Sequence, residues 1–405
     1  MNTNLKWANA LSTRVSLEAA ITEVVEKAQN SLSVNADIGL VFIASAYSSE
    51  YSRLMPLLQE KLSVPILIGC GGGGIIGMNS YGQSQEVEGE PALSLTLIQA
   101  PGVKAHAFHI NSDELPDLDS SPDHWINLVG VSPEDQPSFI ILSDPFSAPM
   151  NDLLQGLDFA YPGSVKIGGL ASGNPTGGSG LFCNYHYYRQ GTVGLALSGN
   201  IVMETIVAQG CRPIGKVYQI TQGERNIIVE LTNQDTNKVG SPLEMLQNLI
   251  QTLNEEDRFL AEHSLFVGVA RDEFKQFLGQ GDFLIRNLIG VEPRSGAIAI
   301  AERVRTGQRI QFYLRDARAS ADDLQLMLEK FTRSQNTASS GALLFACLGR
   351  GEGLYGQPNF DSRLFQYYLP NIPVAGFFCN GEIGPVGDGT FLHGYTSVFG
   401  ICRSK

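Results

Sequence analysis

Apolar and polar positions follow the same order at three places along the chain. At residues 37–77 an apolar run, DIGLVFIAS, precedes a stretch of helical period, YSRLMPLLQEKL, and then VPILIGCGGGGIIG. At 341–384 the order is GALLFACLGRG, SRLFQYYL and NIPVAGFFCNGEIG. A looser copy spans 138–173, with SFIILSDPF, MNDLLQGLDFAY and GSVKIGGLASG. Each reads as strand, helix, strand and a glycine-rich loop, because short continuous apolar runs suit a sheet covered on both faces.

The segments after the loops alternate with a period of two. ALSLTLIQA, VKAHAFHI, TVGLALSG, IVMETIVAQG and FLHGYTSVFGIC therefore read as antiparallel strands. SGAIAIAERV and QRIQFYLRD, joined by Arg-Thr-Gly-Gln, predict a hairpin. The expected fold class is α/β: two related halves with large mixed sheets covered by helices, built from repeated strand–helix–strand units plus antiparallel hairpins. The expected organisation is an N-terminal helical segment over 1–30, a first module over 31–232 and a second over 233–405. The polar stretch 233–240 is the candidate linker, and the amphipathic LEMLQNLIQTLNEEDRFL opens the second module.

Composition narrows the function classes. The chain has 405 residues and a formal net charge of −13, a field that repels nucleic acid and anionic membrane surfaces. The first residues hold no apolar segment of signal-peptide type, and no apolar run approaches the roughly 18 residues of a membrane span. Six cysteines at 70, 183, 211, 347, 379 and 402 form no C-x-x-C pair. That spacing implies reduced thiols and a cytoplasmic protein.

Gly69, Cys70, Gly71, Gly72, Gly73 and Gly74 satisfy G-x-G-x-x-G after a predicted strand. A dinucleotide site also needs a helix to open at the last glycine, and the chain continues instead as IIGMNSYGQSQEVEGE. No Gly-Lys-Ser/Thr follows, so a P-loop is excluded as well. Two readings of the glycines stand: close approach of packed strands, or loops at strand ends that offer N–H donors to a small ligand. On the second reading Gly168, Gly169 and Ser172 of the looser copy join the site.

The second half resembles the C-terminal module of the FIST family in FLIRNLIGVEPRSGAIAIAERVRTGQRIQFYLRDA, FACLGRG, IPVAGFFCNGEIGP and LHGYTSVFG. IGCGGGGIIG, IGGLASG and VAQGCRPIG look like the N-terminal module. The resemblance implies a sensory module for signal transduction that binds an amino-acid-like or related metabolite. With no room for an output domain in 405 residues, it would act through a separate signalling partner, and a homodimer is compatible with it. A protein–protein scaffold or assembly factor is the alternative reading. A cysteine-dependent enzyme or a haem-based sensor comes after that; the primary expectation is no enzyme and no cofactor.

The C-terminal repeat holds the densest chemistry. Cys379, Asn380 and Glu382 lie in its glycine loop, and Cys347, Gly349 and Arg350 end the paired strand. Arg350 and Glu382 could hold the carboxylate and ammonium of an amino-acid-like ligand, or pair as a salt bridge pinning the loops. Asn287 in RNLIG could add an amide contact or cap a strand end. Cys379 with His393 and Asp388 offers the parts of a thiol–imidazole pair, without the surroundings of a cysteine hydrolase. His106 with His109, and Cys183 with His186, are spaced to face opposite sides of a strand, so no metal is expected. The YHYY cluster reads as packing rather than as a haem wall. Asp316 or Ser320 is expected to cap a helix.

Overall fold

The computed structural model describes residues 4–173, 178–272, 275–279, 281–334 and 338–405. Contacts divide the chain into a larger unit, Met1–Ala208 with Leu324–Lys405, and a smaller one, Gln209–Asp323. The first passage of the larger unit is β1 (Lys6–Ser12), α1 (Leu17–Leu32), β2 (Ile38–Ala44), α2 (Tyr51–Lys61), β3 (Ile66–Gly72), β4 (Gly74–Met78), β5 (Ser84–Glu88) and β6 (Leu93–Gln99). The second is β7 (Val103–Ile110), α3 (Pro122–Val129), β8 (Ser138–Ser143), α4 (Met150–Ala160), β9 (Lys166–Leu170), β10 (Leu181–Cys183), β11 (His186–Tyr188), β12 (Thr192–Gly199) and β13 (Val202–Ala208).

The smaller unit holds β14 (Cys211–Glu224), β15 (Ile227–Asn233), β16 (Val239–Gly240), α5 (Pro242–Thr252), α6 (Glu255–His263), β17 (Leu265–Ala270), β18 (Phe283–Val291), β19 (Ile298–Ile300) and β20 (Arg309–Arg315). Helix α7 (Ala317–Ser334) then leads to β21 (Gly341–Cys347), α8 (Glu352–Tyr355), α9 (Phe360–Tyr368), β22 (Val374–Cys379), β23 (Glu382–Val386), β24 (Gly389–His393) and β25 (Ser397–Arg403).

The expected mixed α/β architecture is present, and the triple repeat organises the larger unit. Its three six-stranded sheets run β1-β6-β2-β3-β10-β11, β7-β12-β8-β9-β23-β24 and β13-β25-β21-β22-β4-β5. In each, the central pair is parallel (β2–β3, β8–β9, β21–β22) and its flanking pairings are antiparallel. Each hairpin leaves the strand it follows and joins another sheet: β4–β5 pairs with β22, β10–β11 with β3, and β23–β24 with β9. The exchange runs once round the three repeats.

Register makes the repeats equivalent residue by residue. Opposite Val41, Ile141 and Leu344 stand Gly69, Gly168 and Gly376. A β-carbon there would lie 2.0, 1.8 and 1.8 Å from the carbonyl oxygen of its partner, so the parallel pairs close only over bare backbone.

Helices cover the sheets through one apolar face each. Helix α1 is capped by the Ser16 side chain, which accepts the Ala19 N–H, and buries Leu17, Ala20, Ile21, Val24, Val25, Ala28 and Leu32, a stripe of helical period. The first 30 residues thus hold strand β1, at the edge of the first sheet, before this helix.

The smaller unit is a closed barrel. Its order is β14-β20-β17-β18-β19-β15, and a β14–β15 pairing joins the ends. Ile220, Ile228, Val267, Ile298, Ile310 and Phe312 fill its core. Two local expectations are corrected here. The segments 295–304 and 308–316 form no hairpin: β19 and β20 stand three places apart round the barrel, each between other strands. The stretch 233–240 is a turn inside this unit, joining β15 to β16. Asn233 builds it by accepting the Asp235 and Thr236 N–H groups on its side-chain oxygen and donating its own N–H to Lys238 O, an Asx turn.

Candidate functional site

Four residues beyond each glycine of close approach lie Gly73, Ser172 and Asn380, and here the three loop ends meet. Ser172 N–H donates to Gly71 O at 3.2 Å and Asn380 N–H to Leu170 O at 3.0 Å. Gly73 N–H donates to Ser172 Oγ at 2.8 Å, and that hydroxyl donates onward to Phe378 O. The hairpins join the same knot, with Gly71 N–H on Gly180 O at 2.7 Å and Leu170 N–H on Gly381 O at 2.8 Å. The loop ends of the three repeats therefore lie together in the larger unit.

A cavity of about 270 Å³ opens at this junction, between Tyr51, Phe146, Ser172, Ser179, Leu348 and Asn380. Bare backbone makes room for its tyrosine: a β-carbon on Gly71 would lie 2.5 Å from the Tyr51 hydroxyl, and one on Gly180 2.6 Å from its ring. The Tyr51 hydroxyl is buried and has no hydrogen-bond partner, while its ring meets Phe182 edge-on at 6.0 Å. Burial pushes its pKa well above the usual range, so it stays a neutral donor.

Beside it, Ser179 Oγ donates to Asp144 Oδ1 at 2.6 Å, and Asp144 Oδ2 accepts the Phe146 and Ser147 N–H groups at 3.1 and 2.6 Å. That carboxylate serves the loop. The described residues lining the cavity include no charged side chain.

The other sequence-predicted residues divide by role. Gly69, Cys70, Gly71, Gly72, Gly168 and Gly169 are buried within β3 and β9. A β-carbon on Gly72 would meet Phe377 at 2.8 Å, one on Gly74 Phe378 at 2.7 Å, and one on Gly169 Cys379 Sγ at 2.3 Å. These positions set how closely the repeats pack. Ser172 and Asn380 face the cavity, and Gly73 adjoins it through Leu348 and Ser172. Asn287 lies in the smaller unit, exposed on β18 opposite Phe266.

Arg350 departs from both of its expected roles. It is fully buried, and its partner is Asp361 at the start of α9: Nε meets Oδ2 at 2.7 Å and Nη2 meets Oδ1 at 3.0 Å. Tyr355 donates its hydroxyl to Asp361 Oδ1 at 2.9 Å and Ser397 to Oδ2 at 2.6 Å. Two fully paired ions of this kind pin a loop to a helix. Glu382 is also buried; one oxygen accepts the Thr396 N–H and hydroxyl at 3.1 and 2.8 Å, and the other has no partner. Burial raises its pKa to about 8.

Cys347 and Cys379 are register partners at the ends of β21 and β22. Burial, followed by the nearby Glu382 carboxyl, pushes both thiols far up. His393 is buried with Nε2 3.0 Å from Gly384 O, so its ring serves the β23–β24 hairpin. His109 stacks on Tyr188 with centroids 3.7 Å apart, and Tyr187 stacks on Phe182 at 5.7 Å, which is packing. Asp316 caps α7 by accepting the Arg318 and Ala319 N–H groups at 2.8 and 3.0 Å.

Sequence reasoning missed Tyr51, Phe146, Ser179 and Leu348. A usable signal was position: Leu348 directly follows the first strand of its repeat, Phe146 comes three residues after the first strand of its own, and Tyr51 opens a repeat's helix.

Among known proteins, the FIST N domain matches residues 37–234 and the FIST C domain residues 242–385. An uncharacterized protein of Mycobacterium tuberculosis is 32% identical over 393 residues, covering 96% of this chain and 98% of its own. A Mycobacterium bovis protein is 32% identical over 384 residues, covering 94% and 95%. Human F-box only protein 22 is 32% identical over 74 residues, 14% of this chain and 18% of its own. A crystal structure of a cyanuric acid hydrolase from A. caulinodans aligns over 98% of this chain and 99% of its own at a TM-score of 0.35 and 8% identity. So loose a superposition carries no argument.

Proposed function

Since the chain belongs to the FIST family, whose domains are in general sensory modules of signal transduction, we propose that its larger unit binds an amino-acid-sized metabolite at the loop junction and reports occupancy to a separate protein. The observation that carries this reading is the meeting of three equivalent loop ends beside one cavity, which Ser172 and Asn380 line and Gly73 adjoins. Its volume lies just below the range of about 300–1,000 Å³ for drug-sized ligand pockets, a size for a smaller molecule. A ligand there would touch all three repeats at once, which is the position from which binding can bias their packing.

The reading is non-enzymatic and needs no cofactor. In its favour, the described lining offers no His, Cys or Lys, and the Ser172 and Ser179 hydroxyls already donate to Phe378 O and Asp144. Native mass spectrometry of the purified protein against its denatured mass tests it. An added small-molecule mass that vanishes on denaturation, and is lost when Leu348→Trp fills the cavity, is the expected result. A retained adduct in the Leu348→Trp protein would place the ligand elsewhere and overturn the assignment.

A further inference from the structure

Strand β5 belongs to the hairpin that the first repeat gives to the third sheet, where it is the edge strand. Side chains of α9 and of the residue before it close that edge. Ser84 N–H donates to Gln366 Oε1 at 2.8 Å and Glu86 N–H to Asn359 Oδ1 at 2.5 Å. In return Gln366 Nε2 donates to Gly82 O at 2.9 Å. Glu86 Oε1 accepts the Ser362 N–H at 2.7 Å, and Glu88 Oε1 accepts the Glu352 N–H at 2.9 Å. Two carboxyl groups of an edge strand thus hold two repeats together.

Glu86 is 6% exposed, its Oε2 has no partner, and neither has the Ser362 hydroxyl. The titratable groups packed round this pair of carboxyls are Glu352 and Tyr355 from α8, Asp361 from α9 and Arg350 from the turn before α8. Strand β4, on the other side of β5, brings none. Arg350 is the one cation in this group, and its hydrogen bonds go to Asp361, the Tyr355 hydroxyl and Tyr395 O. One guanidinium committed to Asp361 cannot also neutralise a buried Glu86 carboxylate. The closed seam therefore holds Glu86 as a carboxylic acid, and burial, then Asp361, raises its pKa to about 8.

We propose that this seam is a proton-operated latch: Glu86 in its acid form keeps the hairpin of the first repeat docked on α8 and α9, and loss of that proton separates them. Ionisation sets a second buried anion beside Asp361, a cost that opening to water removes. The sign follows from the closed seam binding the Glu86 proton more tightly than the open one. The latch is complete at acidic and neutral pH and is released as the pH climbs through about 8. Release is local, because only contacts through side chains break while β5 keeps its pairing with β4. It leaves the Ser84 and Glu86 N–H groups without their acceptors and so bares a strand edge. The latch is independent of the proposed ligand cavity.

Hydrogen-exchange mass spectrometry of the full chain from about pH 6 to about pH 9.5, corrected for the intrinsic exchange rate, tests this. Peptides over 82–88 and 352–368 should lose protection by about tenfold per pH unit above about pH 8, the slope of one linked proton. The α1 peptide over 17–32 should keep its protection across the same range. Glu86→Gln stays neutral at every pH and keeps an acceptor for the Ser362 N–H, so its seam should hold its protection throughout. Gln366→Ala loosens the seam without touching a charge; it should lower protection by a similar factor at every pH and leave the slope unchanged. Wild-type seam peptides that stay protected to about pH 9.5, or that open only in step with α1, would overturn the latch without recourse to any variant. A Glu86→Gln seam that opens with pH as the wild type does would remove Glu86 as the group that operates it.

Discussion

Gly168 stands opposite Ile141 in the parallel pair β8–β9, at a φ of 150°, and a β-carbon on it would lie 1.8 Å from the Ile141 carbonyl oxygen. No side-chain movement relieves a clash with backbone. Gly168→Ala should therefore lower the free energy of unfolding by about 3 kcal/mol or more. Gly69→Ala and Gly376→Ala should behave alike, because the same contact recurs there. Gly353→Ala, with open space around its position, should change stability by less than about 0.5 kcal/mol. Urea denaturation of the four variants checks the ranking.

Arg350 and Asp361 form a buried ion pair at 2.7 Å. Removing one member strands the other charge, so Arg350→Ala should cost about 3–5 kcal/mol. Arg350→Lys should recover part of that loss, since it keeps the charge without the two-pronged contact. Arg318→Ala, at a pair whose side chains are 91% and 73% exposed, should cost almost nothing. Equal losses at the two arginines would contradict the assigned role of Arg350.

Stability should fall as the pH rises from about 5 to about 8. Burial, then the neighbouring Asp361 charge, raises the Glu86 pKa to about 8, and burial raises Glu382 to about 8. Both carboxyls bind their proton more tightly in the folded chain than in the unfolded one. Their contribution is thus complete below about pH 4.5 and lost as the pH climbs through about 8, with a slope of up to about 1.4 kcal/mol per pH unit for each group. Asp361, which Arg350 holds low against the upward push of burial, acts in the opposite sense, below about pH 4. Glu86→Gln and Glu382→Gln should each flatten the neutral slope, read from unfolding midpoints between pH 5 and about 9.

All six cysteines are buried thiols outside any disulfide. Burial moves even Cys183 up to about 11, which cuts its thiolate fraction at neutral pH about a hundredfold. Ellman's reagent should label the native protein slowly and all six thiols at once on denaturation. A single fast-reacting thiol in the native protein would revive cysteine chemistry as a function.

The repeat was legible because buried parallel strands are continuous apolar runs and each of 37–77, 138–173 and 341–384 closes on a glycine-rich loop. The destination of the hairpins was not. β4 and β5 lie in a glycine-broken, acidic stretch that reads as loop, and nothing local states that it forms a hairpin whose partner is β22, some 300 residues away. The barrel hid for the same reason: a short polar turn between 304 and 308 imitates a hairpin whether or not its flanking strands pair. At the site, Ser172 and Asn380 were legible from the glycine loops. Arg350 was seen as a charge near a loop, while its partner Asp361 lay in a helix the motif did not include. Tyr51 carried no motif; only the fold turns its hydroxyl into an unpaired group.

The circular exchange of hairpins also sets an order on synthesis. The first sheet needs nothing beyond Tyr188 and can close while the rest of the chain is still being made. The second cannot: β9, at Lys166–Leu170, keeps a bare edge until β23, at Glu382–Val386, emerges. The β4–β5 hairpin likewise waits for β22. A ribosome-bound chain therefore carries an open strand edge across about half its length, the kind of surface that invites pairing with other chains. Truncation near the C-terminus should be felt first as aggregation of the second sheet, far upstream of the missing residues.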